Sequence, residues 1–547
     1  SVKQSACVAH TNGKRFVAAE GPTSIGPQWE RSPMDLKGNI DRIFCSGVNR
    51  IVWHTFTSSP KDFGLPGNEY FAGTHLNPNT TWWEQSRDFI SYLDRNMYML
   101  QQGLYVADVL YYYGDDVPNF VFLKEDLPEL NFGFDWDKCS KDVIVNLTSV
   151  KDGKIVLPDG MSYRVLMLAP EKSIDLKVLR KLEQLVKNGM TLIGPRPTET
   201  TGLTDFPGGD QELKIIADKL WGKADGKTAT ENKYGKGRVI WGQDVNEVLA
   251  EMNIQPDLQF KGNRPETALD YIHRTTSDQE IYFVCNRFSQ MAYNDFEYRY
   301  LPTLPDRWEQ VECSFRVTGK VPELWDPITG ETKEIVYYRE ENGRTIIPLL
   351  FEPEGSKYIV FRNGKPKPHV TEIKKDGQSI FPGFGLSTVS YPRIDFRRSG
   401  ESVVAEINEP GTYSIVWSDG RREYLKAENT GQKIDLSSDW GILFREAGET
   451  KTERLKSWTD FELPQIKYYS GSALYKKTFE LSSEDLNGNR IIIDLGNVKE
   501  MASVKINGQQ LQVIWSAPFR FDLTPYLKAG TNELKVDVVN MWVKRLI

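Results

Sequence analysis

Glu20 is a carboxylate that closes an apolar run, Phe16-Val-Ala-Ala19, and the chain-breaking pair Gly21-Pro22 follows it at once. A carboxylate at the C-terminal end of a buried parallel strand is where a (β/α) barrel keeps its catalytic groups. Such a group can take a proton from water or give one to a leaving group. The alternative is a structural carboxylate that caps the next helix or pairs with an arginine. His54 stands at the end of a second apolar run, Arg50-Ile-Val-Trp-His-Thr-Phe56, and His75 lies in the loop that follows. Both can bond sugar hydroxyls, as can Glu69 and Asn77 of the same loop. Trp53, Trp82 and Trp83 offer flat faces that suit a sugar ring or a protein core equally. The histidines lack an HxxxH-type spacing, so no zinc site is expected. Asp62 and Glu69 are oxygen donors of the kind calcium takes, and calcium is the one cofactor the loop suggests.

The elements around these residues follow a helix, strand, helix, strand, long loop, helix order. Ser1 to Asn12 reads as a helix end closed by Asn12-Gly13, and it carries His10, which is assigned to packing. Arg15 to Glu20 is a strand. Ser32-Pro33 opens a helix with Met34, Leu36, Ile40, Ile43 and Phe44 at helical spacing. Arg50 to Phe56 is nearly continuous in apolar residues, as parallel strands buried on both faces are. The polar loop from Thr57 to Thr81 is longer than a plain connection, and its Pro and Gly residues shape it by turns. It is expected to form a wall of the pocket beside Glu20 and His54. Trp82 to Gln102 is an amphipathic helix. This order suits the last two units of a barrel, which needs about 250 residues. Only 19 residues precede Glu20, so the remainder of the barrel is expected upstream, in a larger enzyme.

Downstream, Val106–Tyr113, Tyr163–Ala169, Met190–Gly194 and Gly237–Trp241 read as buried strands, alternating with helical stretches at 134–145 and 175–188. That alternation predicts a parallel, Rossmann-like layer. No GxGxxG or Walker motif marks a nucleotide site. From about residue 256 only short strands are expected, the signature of β-sandwiches. The divisions are 1–103 (the C-terminal part of a (β/α)8 barrel), 104–255 (α/β), 256–365 (β-sandwich), 366–428 (small β domain) and 429–547 (jelly roll).

The net charge of −7 over 547 residues is not the basic footprint of a nucleic-acid binder. No apolar stretch approaches the roughly 18 residues of a membrane span. The five cysteines are far apart with no CxxC, which argues against metal clusters and a dense disulfide framework. Aromatic residues make up 12% of the chain, which suits sugar stacking and ordinary cores alike.

The last block carries Ser470-Gly-Ser-Ala-Leu-Tyr-Lys-Lys-Thr-Phe479, Val504-Lys-Ile-Asn-Gly508 and Pro518-Phe-Arg-Phe-Asp-Leu-Thr524. It resembles the galactose-binding-like jelly roll, or sugar-binding module, of family 2 glycoside hydrolases. Asn507-Gly508 is at the same time a tight hairpin turn. The segments GVNRIVWHTF, PGNEYFAGTHLNPNTTWWEQ and YLDRNMYMLQQGLYVADVLYYYG resemble the C-terminal half of α-L-rhamnosidases of glycoside hydrolase family 106. The ending Asn540-Met-Trp-Val-Lys-Arg-Leu-Ile547 is similar too, with Lys544 where an Asn is usual.

The resemblance implies an inverting glycosidase that removes terminal α-L-rhamnose from pectin-like plant polysaccharides, in the periplasm or outside the cell. It places the general base at Glu20 and the general acid on an earlier strand absent from this chain, which alone is expected to be inactive. Its partners would be a carbohydrate substrate and the missing half-barrel, with no nucleic acid and no membrane span. Alternatives are a non-catalytic carbohydrate-binding or scaffold protein, and a retaining glycosidase of the β-galactosidase type. The latter would need a second carboxylate only about 5–5.5 Å away.

Overall fold

The computed structural model describes residues 2–23, 29, 31–73, 75–115, 117, 119–121, 124, 130–287, 307–380, 393–428 and 432–543. The N-terminal block is α1 (Val2–Thr11), β1 (Ala18–Glu20), α2 (Pro33–Cys45), β2 (Arg50–Val52) and α3 (Arg87–Leu100). Proline at the first turn of α2 loses no hydrogen bond. Ser32 and Asp35 close a capping box there, each side chain accepting from the other's backbone N–H. β1 and β2 pair in parallel, with Ala18 opposite Arg50 and Glu20 opposite Val52.

The buried Asn49 fixes where the pair starts. Its Oδ1 accepts from Val17 N at 2.8 Å, and its Nδ2 donates to Arg15 O at 2.9 Å and Leu100 O at 3.3 Å. The expected run to Phe56 stops at Val52, which is 48% exposed, and Phe56 is 66% exposed. The helix expected from Trp82 begins at Arg87, after a 3-10 turn over Trp83–Gln85.

The next layer is a six-stranded sheet, in spatial order 231–234, 237–240, 191–193, 165–168, 109–112, 136–139. Its strands are parallel except the first, an antiparallel edge on 237–240. The helix expected over 134–145 is not there. Trp136–Cys139 is instead a strand beside Val109–Tyr112, and a π-helical turn follows at Val143–Leu147. A neighbouring strand in an apolar layer overrides local propensity. Residues 175–188 fold as read, with Asp175 capping Leu176–Lys187 through Lys177 N. α1 lies against this sheet. His10 Nδ1 is 3.0 Å from Asp137, and the ring stacks on Tyr105 at 4.2 Å, which confirms its packing role.

The remaining chain is almost all antiparallel. One four-stranded and one six-stranded sheet pack over a shared apolar cluster of Leu258, Tyr282, Phe315, Phe351 and Phe361. Leu104–Tyr105 adds an edge strand to the larger sheet. A smaller sheet and a hairpin follow at 370–427. The last block is a six-stranded sheet with a two-stranded partner, 492–494 with 520–522. Asn507 and Gly508, at φ 47° and 87°, form the tight turn between its strands 501–506 and 509–514.

This block docks on the N-terminal one. Trp515 meets Phe89 and Tyr92 edge-on, each at 5.0 Å, and Asp88 accepts from Val513 N at 2.7 Å. Phe89, Tyr92, Leu166, Phe283, Met501 and Trp515 belong to a single buried cluster that crosses all these layers. Among the described residues, no helix is long and apolar enough to cross a membrane.

Candidate active site

The exposed Glu20 ends β1, and Gly21 N continues the ladder to Val52 O at 2.9 Å, so both strands stop together. The helix that follows is capped by Ser32 and Asp35, not by Glu20, and Glu20 makes no ion pair with the described residues. Among the described residues, neither structural role foreseen for that carboxylate is filled.

Beyond β2 the long loop folds back on His54. Leu76 N donates to Thr55 O at 3.3 Å. Gly73, at φ 129°, lies so close that a Cβ there would sit 2.8 Å from His54 O, which only glycine permits. Tyr70 packs edge-on against His54 at 5.3 Å and beside Phe71 at 4.8 Å. Tyr70 N donates to His75 Nε2 at 3.3 Å, which puts the proton of the neutral ring on Nδ1. Burial holds the His75 pKa below its ordinary value, so the ring stays neutral.

On its face His75 stacks with Trp29 at 4.2 Å and 26°. Trp29 comes from the segment after β1 and sits in the left-handed region, φ 63°. Such a backbone persists only where surrounding contacts hold it, and it often marks a functional site. Segments after both strands therefore meet: Trp29 stacks on His75, the Tyr70 backbone bonds His75, and the Tyr70 ring packs on His54. Farther along, Asn79 Nδ2 donates to Pro66 O at 3.1 Å, and Trp542 Nε1 from the far end of the chain donates to Asn79 O at 2.6 Å.

Several expected sugar contacts go to packing instead. Trp82, 1% exposed, lies in the core against Phe89, and Trp53 meets the same ring edge-on at 6.1 Å. Asn77 is buried and shapes a turn, its Oδ1 accepting from Asn79 N at 2.9 Å. His75, 4% exposed, supports the loop from beneath. Glu69 is exposed, His54 is partly exposed, and Tyr70 and Phe71 present 42% and 68% of their surface. Trp29 carries no spacing signal: it lies in an irregular Pro/Gly-containing segment, and a ring partner 46 positions away is invisible to periodicity. Among the described residues, no three His, Cys, Asp or Glu side chains converge to hold a metal ion. The departure at Lys544 lies outside the described residues.

Comparison with known proteins fits this arrangement. The profile of the α-L-rhamnosidase family, glycoside hydrolase family 106, matches residues 1–339. The family 2 glycosyl hydrolase sugar-binding domain matches 438–546. The chain belongs to the α-L-rhamnosidase family of glycoside hydrolases. It is 27% identical to a putative β-glucuronidase of Formosa agariphila, with all of this chain and 59% of the relative covered. It superposes on the structure of a rhamnosidase from Novosphingobium sp. PP1Y with a TM-score of 0.77 at 28% identity, over all of this chain and 45% of that one. The chain thus spans about half the length of these relatives.

Proposed function

We propose that this chain is the C-terminal portion of an inverting α-L-rhamnosidase that releases terminal rhamnose from plant polysaccharides, and that Glu20 is its general base. The observation that carries the reading is the position of Glu20. It ends a parallel strand beside a second strand whose following loop presents His54, Tyr70 and Phe71. β1 and β2 are read as the last strands of a barrel whose earlier strands, and the general acid, come from sequence upstream. The base would take a proton from a water attacking the anomeric carbon, while the acid protonates the departing oxygen on the opposite face. The two carboxyl groups would stand roughly 6.5–9.5 Å apart to admit that water. Tyr70 and Phe71 would pack on the sugar ring, with His54 and Glu69 bonding hydroxyls. Acting on external polysaccharide, such an enzyme would work in the periplasm or outside the cell.

The test uses the complete protein, with its upstream half, on aryl α-L-rhamnoside and aryl β-D-glucuronide, and follows the released anomer by NMR. Rhamnoside cleavage with inversion is expected, with negligible turnover by residues 1–547 alone. Retention would point to a nucleophilic carboxylate. Preference for the glucuronide would assign this chain the activity named for its Formosa relative. Clear activity of the chain alone would mean that the acid lies within it.

A further inference from the structure

Cys45 closes α2, and Cys285 lies in the strand Gln279–Asn286 of the β-sandwich, 240 positions away. Their sulfurs are 3.6 Å apart and both residues are 1% exposed. Contacts on either side hold the two elements in place. Phe44 meets Phe283 edge-on at 6.3 Å. Lys37 Nζ, from the start of α2, donates to Ser356 Oγ at 3.0 Å, and Ser356 is the strand partner of Cys285. Asp41 accepts from Lys37 Nζ at 2.7 Å. The sulfurs therefore face each other across an interface that the neighbouring residues fix. A disulfide has its sulfurs about 2.05 Å apart, so closure asks for roughly 1.5 Å of side-chain movement.

We propose that Cys45 and Cys285 form a buried disulfide that ties the catalytic block to the β-sandwich when the protein folds in an oxidising compartment. The oxidant is a disulfide of the thiol-oxidoreductase or glutathione class. The thiolate of one cysteine attacks it and expels one thiol. The second cysteine thiolate then attacks the mixed disulfide and expels the other. Two cysteine S–H groups thereby lose two protons and two electrons, and one oxidant disulfide becomes two thiols. Both sulfurs are out of solvent once α2 has docked, so exchange takes place before that contact closes. Cys7, Cys139 and Cys313 are buried as well, but no sulfur–sulfur contact joins them among the described residues.

The full chain, exported to a bacterial periplasm and also made in the reducing cytosol, is denatured in iodoacetamide, digested without reductant and mapped by mass spectrometry. The periplasmic protein should yield the Cys45 and Cys285 peptides joined, two hydrogens lighter than their sum. Cys7, Cys139 and Cys313 should be alkylated, and the cytosolic sample should show all five alkylated. Cys45→Ser should leave Cys285 fully alkylated, and Cys285→Ser should do the same for Cys45. Alkylation of both Cys45 and Cys285 in the periplasmic wild type, or a link between any other pair, would overturn the proposal. The wild-type map stands even if a serine variant fails to fold.

Discussion

Glu20 is exposed at the end of a three-residue strand, so an amide in its place opens no cavity and strands no buried charge. In the complete enzyme, Glu20→Gln should lower kcat/KM by about 10²–10⁴-fold, the usual share of a general base, with Tm essentially unchanged. A variant that keeps near-normal turnover would remove Glu20 from the mechanism. His75 behaves differently, because burial favours its neutral ring and its Nε2 accepts from Tyr70 N. Its folded pKa lies below the unfolded value near 6.5. As pH falls through that window the unfolded state binds more protons, so the loop's stability is present above about 6.5 and is lost in acid. Hydrogen exchange at the Tyr70 amide should therefore lose protection between pH 7 and pH 5, beyond the change in intrinsic rate. Constant protection over that range would mean that the folded ring takes up its proton no later than the unfolded one.

At the scale of elements, α2 is where the N-terminal block and the jelly roll meet electrostatically. Glu500 is pushed up to about 7, first by burial and then by the negative charge of Asp35, while Lys499 and the Ser32 hydroxyl pull it the other way. The unfolded chain releases this proton near 4.3, so between roughly 4.3 and 7 the native state binds more protons and stability falls as pH rises. Glu500→Gln should match wild type at pH 4 and exceed it at pH 8 by about 1–3 kcal/mol, read as a Tm difference that grows as pH rises between them. Equal melting at both pH values would show that the carboxyl finds solvent.

α2 was also legible in sequence: Ser32-Pro33 announces its start, and the Leu36, Ile40, Phe44 stripe its buried face. The same holds for Leu176–Lys187 and for the hairpin at Asn507-Gly508, where the signal is local. Trp136–Cys139 was not legible, because its strand character comes from Val109–Tyr112, more than twenty positions away. Trp82 and Asn77 misled for a related reason. A residue type able to bind sugar looks the same in sequence whether its neighbours leave it exposed or cover it, and here Phe89 and a turn absorb them.

Over the whole molecule, the buried cluster shared by the N-terminal block, the α/β layer, the sandwich and the jelly roll makes separate unfolding of its parts unfavourable. Trp515 is fully buried at the seam, on Phe89 and Tyr92. Trp515→Ala should cost about 3–5 kcal/mol. It should also expose the connection before Ser438 to limited proteolysis, releasing the jelly roll as a discrete fragment. A uniform loss of stability with no such fragment would mean that the seam holds without Trp515.

The hydrogen bond from Trp542 to Asn79 O has a consequence in time. The two residues are 463 positions apart. At a synthesis rate of about 5–20 residues per second, roughly 20–90 s pass between their emergence from the ribosome. Glu20 and His54 are made long before Trp542, so the loop beside His54 gains this anchorage only after the jelly roll has been synthesised. A nascent chain cut short before Trp542 would carry Glu20, His54 and most of the fold, yet lack the clasp on the loop at Asn79. Prematurely terminated copies would thus carry an unclasped loop before they were visibly misfolded.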